Sequence, residues 1–151
     1  MKRNTKSILI TLSIILGFSL AVSYGEKSVE TFAEELKAFY TVYSNGDIET
    51  AEKALLKHLD LILEYKRERI EGINYPDVLM STYTRLYLVE KKQGDINKAN
   101  FYLEKSMELH LRGRKVDNTE LVKEQNKVIE FYRGIDLHNS VKWLTEATGK
   151  K

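Results

Sequence analysis

The chain has 151 residues, 24 of them Lys or Arg and 22 Asp or Glu, which suits one domain of ordinary size. Three of the basic residues (Lys2, Arg3, Lys6) fall in the first six positions, so residues 24–151 lie within one charge of neutral and lack the strongly basic surface that nucleic-acid binding requires. The absence of cysteine excludes disulfides, thiolate metal sites, cysteine nucleophiles and a lipid-modified N-terminal cysteine.

The first element is an address. Residues 1–6 are basic, and Ser7 to Gly25 then runs 19 residues without a charge. Ala21 and Ser23 place small residues at −3 and −1 of a cut before Tyr24, and Ser23-Tyr24-Gly25 offers a second cut before Glu26. Positive charge, apolar stretch and small-residue site form the three-part secretory pattern, so residues 1–25 read as a signal peptide. The alternative is an uncleaved anchor over residues 7–25, near the lower limit of the roughly 20 apolar residues a span needs. Both readings put residues 26–151 outside the cytoplasm, periplasmic or secreted; membrane association follows only if the segment is retained.

Beyond Lys27 the pattern is helical, with no sustained period-2 alternation and a single proline to interrupt it. Ser28 or Thr31 can cap a first helix, Thr31-x-x-Glu34 having capping-box form, and Phe32, Leu36, Phe39, Tyr40 and Tyr43 recur along it at helical spacing. Asn45-Gly46 stops it. Asp47 opens a second helix that runs through Ile70 until Gly72. Asn74 can cap a third, with Pro76 in the first turn, where a missing N–H costs nothing; it stops at Gly94. Asp95 opens a fourth, ending near Gly113. Asp117-x-x-Glu120 opens a fifth to about Arg133, Gly134 breaks it, and a short sixth runs from Asp136 to Ala147. The tail from Thr148 is expected to fray.

An offset of 48 residues lays NGDIETAEKALLKHLDL over QGDINKANFYLEKSMEL. Gly46, Asp47, Ile48, Ala51, Leu55, Lys57 and Leu61 then fall on Gly94, Asp95, Ile96, Ala99, Leu103, Lys105 and Leu109. Gly is expected to end the first helix of each pair in a left-handed conformation. Asp caps the next helix at once, and the short turn brings two antiparallel helices together. Ala51 and Ala99 then let the paired helices approach closely. A degraded third copy places Gly134, Ser140, Leu144 and Ala147 over Gly94, Ala99, Leu103 and Ser106. A departing terminal repeat is what a stacked array needs as a cap.

On these residues the chain resembles the tetratricopeptide-repeat family. The best unit is YTRLYLVEKKQGDINKANFYLEKSMEL, in which Leu86, Gly94, Asp95, Ala99 and Leu103 occupy family-like positions and Ser106 stands for a small residue. The chain diverges in its 48-residue period, against the family's 34, and in its long second helix. The resemblance implies an all-α fold of antiparallel helical hairpins, at about 28–72, 74–113 and 117–148, stacked as a short right-handed solenoid. It also implies a scaffold that binds proteins or peptides and has no catalytic residues of its own. By position, its concave groove would include Leu36, Tyr40 and Tyr43 from the first repeat and Ser81, Thr84, Leu88 and Lys91 from the second.

The residues themselves offer little chemistry. His58, His110 and His138 form no H-E-x-x-H arrangement or other metal face, and His58 sits on the apolar side of its helix as a core residue. There is no G-x-S-x-G, P-loop or dinucleotide fingerprint. The basic runs Lys66-Arg67-Glu68-Arg69 and Arg112-Gly113-Arg114-Lys115 close equivalent helices, where the dipole favours cations; a basic edge for anionic lipid or an acidic partner is the second reading. Phe39, Tyr83 and Tyr87 read as core, while Tyr40 and Tyr43 divide evenly between core and groove. The expectation is an exported, non-enzymatic scaffold, without metal or cofactor, that engages a protein or peptide. The alternative is a helical bundle holding a small ligand or haem between helices through a His and the tyrosines; the missing C-x-x-C-H excludes only covalent haem.

Overall fold

A computed structural model describes residues 26–146. The predicted signal peptide or anchor at 1–25 and the predicted frayed tail lie outside the described residues. Within them the chain is all-α, with six helices packed antiparallel and no sheet. They are α1 (Val29–Asn45), α2 (Ile48–Arg67), α3 (Tyr75–Gln93), α4 (Ile96–Leu111), α5 (Asn118–His138) and α6 (Lys142–Thr145).

The helix starts follow from side-chain capping of amide groups that have no intrahelical partner. Ser28 caps α1 in a reciprocal box with Thr31. Asp47, Asp95 and Asp117 accept from the amides of Thr50, Lys98 and Glu120 at 2.8, 3.1 and 2.8 Å. Asn74 precedes α3, but its side chain donates to Asp77 at 2.5 Å rather than capping the backbone.

Three details of the sequence reading change. Gly94 does adopt the left-handed conformation, at φ 89°, but Gly46 is extended, at φ −76° and ψ 159°. Glycine is needed at position 46 for space: a Cβ there would lie 2.7 Å from Thr50 Cγ2 and 3.0 Å from the Val42 carbonyl oxygen. Gly134 does not break α5, which continues to His138. An internal glycine costs a helix only about 1 kcal/mol, and burial of Asp136 and Val141 just beyond it outweighs that. The chain turns at Ser140 instead, at φ 54°. The third echo of the repeat therefore does not reproduce the Gly94 turn. Finally, α2 stops at Arg67, and Arg69 takes the left-handed conformation (φ 58°) three residues before Gly72.

Successive helices pack α1 on α2, α2 on α3 and α3 on α4; α5 then returns to α3, and α6 lies against both α1 and α5. Three apolar clusters result. Tyr43, Ala51, Leu55, Leu86 and Val89 meet Val141, Trp143 and Leu144 from the C-terminal end. Phe32, Ile62, Tyr65 and Leu79 close the opposite end of α1–α3. Met107, Val128 and Tyr132 join α4 to α5.

Ala51 and Ala99 are 0% and 1% exposed, while Asn100 is exposed. Replacing Ala99 by Leu is expected to cost about 1–3 kcal/mol through overpacking. Asn100→Leu is expected to stay within about 0.5 kcal/mol. Paired urea titrations check the difference, and equal effects would contradict the close α3–α4 crossing.

Candidate functional site

Arg85, midway along α3, is 2% exposed, and Asp136, near the end of α5, is 0% exposed. The guanidinium donates to both carboxylate oxygens, Nε at 3.0 and 3.1 Å and Nη2 at 2.9 Å. Tyr43 of α1 donates its hydroxyl to Asp136 Oδ2 at 2.7 Å. The rings of Tyr40, Tyr43 and Tyr132 stand 5.4, 5.8 and 5.2 Å from the Arg85 guanidinium carbon, within cation–π range. Burial works against the Arg85 charge, and the Asp136 carboxylate more than offsets it, leaving the pKa raised. Burial, then the Asp136 charge, pushes the Tyr43 phenol far above its ordinary range, so it stays a neutral donor.

This cluster decides where the seven predicted groove residues lie. Tyr43 is fully buried, and Tyr40 and Leu88 are half-buried against the same apolar cluster as Trp143. The space between α1 and α3 holds the chain's own short helix α6: Trp143 stands edge-on to Tyr43 at 6.3 Å, and Lys92 donates to the Trp143 carbonyl. Thr84 is 0% exposed and faces α4, its hydroxyl 2.7 Å from Ser106 Oγ. Ser81 is half-buried and donates to the Val78 carbonyl of its own helix at 3.1 Å. Leu36 is half-buried and Lys91 exposed, the latter donating to the Tyr87 hydroxyl at 3.0 Å. The structure thus brings Tyr40, Tyr43 and Leu88 together and directs Thr84 elsewhere.

An open cavity of about 420 Å³ lies instead on the outer side of the first hairpin. Ala38, Phe39 and Val42 of α1 form one wall, with Ala54 and Leu61 of α2 opposite. His58 lies at its base, 3% exposed, its ring stacked on Phe39 with centroids 4.1 Å apart and planes 8° from parallel. Burial, helped by the Arg85 charge, lowers its pKa to about 4, so the imidazole is neutral at pH 7. Its buried Nδ1 has no hydrogen-bond partner, an uncommon state for a polar atom removed from water. No group of three or more His, Cys, Asp or Glu could hold a metal ion among the described residues.

Sequence reasoning missed Arg85 and Asp136. The one available signal was a charge set between Thr84 and Leu86 on a helix whose other charges gather at its ends. The partner, 51 residues away, has no local signature.

Two outcomes test this electrostatics. Asp136→Ala strands the buried guanidinium and is expected to cost about 3–5 kcal/mol, whereas the paired replacement Arg85→Met with Asp136→Leu is expected to cost less; denaturant melts distinguish the two. For His58, the folded pKa near 4 lies below the ordinary 6.5. As pH falls from 6.5 to 4, the unfolded chain takes up a proton that the folded chain refuses, and roughly 3 kcal/mol of stability is lost over that window. His58→Phe is expected to flatten that part of the stability–pH curve in thermal melts. No protein-family model, no curated protein and no solved structure matches this chain, so its functional reading rests on its own residues.

Proposed function

We propose that this chain is an exported, non-enzymatic scaffold of tetratricopeptide-like hairpins that holds a protein or peptide partner. The observation that carries this reading is the equivalence of the first two hairpins. Each opens its second helix on an aspartate cap immediately after a glycine, and each buries an alanine four residues beyond that aspartate. Such stacked units use their surfaces for recognition rather than for bond-making. With the α1–α3 space occupied by α6, the contact surface is drawn from the apolar side chains left in solvent. Val42, Phe101 and Phe131, at 48, 52 and 62% exposed, supply one such position on each of α1, α4 and α5. Aromatic residues in such places are favoured anchors.

A second reading, ligand binding between helices, is favoured by the cavity above His58. Its volume falls in the range of about 300–1,000 Å³ usual for small-molecule sites.

Affinity capture from the organism's own envelope fraction tests the first reading. The wild-type chain is expected to retain a protein that is lost with Val42→Glu, Phe101→Glu or Phe131→Glu, each an exposed change expected to move stability by no more than about 0.5 kcal/mol. No retained protein, or retention unaffected by all three, would refute the scaffold reading. Export is checked by mass spectrometry of the same chain, expected to begin at Tyr24 or Glu26. An intact Met1 form in the membrane would select the anchor.

A further inference from the structure

The cavity on the first hairpin has a charge pattern that the apolar walls alone do not explain. Lys53 and Lys57 line it from α2, one helical turn apart and therefore on one face. Neither makes an ion pair with any carboxylate among the described residues, whereas Lys98, Lys105, Lys127 and Lys142 each do. Glu35, the one acidic lining residue, interacts with the Tyr65 hydroxyl. Ala38, exposed, and Ala54, half-buried, are the small residues that leave the space open, and Phe39 and His58 stack as its base. The buried His58 Nδ1 is a polar atom for which the protein supplies no partner.

A second cleft serves as an internal contrast. It lies between α4 and α5, has a volume of about 330 Å³ and is lined by Leu103, Met107 and Leu121 under Glu104 and Glu108. Its walls are equally apolar, and its rim stays net acidic, with Glu108 paired to Lys105 and Glu104 beside it. A ligand drawn by apolar burial alone would enter both; one carrying a negative charge would enter only the first.

We infer that the α1–α2 cavity binds a small amphiphilic anion, a free medium-chain or aromatic carboxylate, with its apolar body over Phe39 and His58 and its charge between Lys53 and Lys57. This rests on the reading that a small ligand enters between the helices. The lysines act as point charges that reach a carboxylate without first breaking a direct ion pair, Lys53 having only a longer-range attraction to Asp47. The alanines and the aromatic base supply the apolar area that a water-soluble anion of this kind needs to leave solvent.

Decanoate, decylammonium and decan-1-ol, each below its aggregation limit, are the probes, titrated into the chain as recovered from its cells. Amide shifts at Ala38, Ala54 and His58 report the first cavity, and those at Leu103 and Leu121 report the second. Saturable decanoate binding at the first set is expected, with affinity at least tenfold above decylammonium. Lys53→Glu with Lys57→Glu is expected to lower it at least tenfold, and Ala38→Trp, an exposed change that fills the space, to abolish it while the remaining spectrum stays native. Equal binding of all three probes, or preference for the amine, would overturn the anion assignment and leave a generic cavity. Silence of the first set with every probe would overturn both the assignment and the ligand reading. Binding only to phosphatidylglycerol vesicles, with none to monomeric decanoate, would overturn it in favour of a lipid surface.

Discussion

The ion pair between Arg85 and Asp136 ties together parts of the chain that local structure alone would leave apart. Taking both charges out of water costs several kcal/mol per ion, and the attraction repays that only with close geometry and satisfied hydrogen bonds. Here both conditions hold: the guanidinium meets both carboxylate oxygens, and the Tyr43 hydroxyl occupies a further acceptor position. Three tyrosine rings enclose the cation. One contact therefore joins α1, α3 and α5, and it holds the turn at Ser140 so that Val141, Trp143 and Leu144 reach the apolar cluster of the first hairpin.

Around that centre, α3 is covered from several sides. It packs on α2, α4 and α5, and it buries Thr82, Thr84, Arg85, Leu86, Tyr87, Val89 and Glu90, a run that no single helix stripe would contain. The threonines fit there because each returns its hydroxyl to a carbonyl one turn back, at 2.8 Å. Thr84 also meets Ser106, so α3 and α4 approach through small polar side chains whose hydrogen bonds are satisfied. α1 and α2 are covered less completely. Their outer sides carry the cavity over Phe39 and His58, which leaves an apolar recess on the first hairpin.

The helical class, the aspartate-capped starts and the buried faces of α1 and α2 were legible in the sequence, because each depends on residues within about one turn of one another. Ala51 and Ala99 were placed correctly in the buried faces by the 48-residue offset. Glycine proved harder to interpret, since three physical situations look alike in sequence. Gly94 serves a left-handed turn, Gly46 a close approach to Thr50, and Gly134 neither, being carried through a helix that burial beyond it sustains.

What the sequence determined by itself was local: where the first five helices begin, which stripe of them is apolar, and that the chain carries no cysteine thiol. What only the tertiary structure decided was which helices meet. Tyr40 and Tyr43 suited a groove or a core equally well on composition, and the arrival of Asp136 from 93 residues beyond Tyr43 made one of them part of a buried polar cluster. Periodicity reports a helix's own faces, because neighbouring residues share one backbone geometry. It carries no information about which distant charge will neutralise a buried one, and here that pairing determines which surfaces are filled by the chain itself and which stay open.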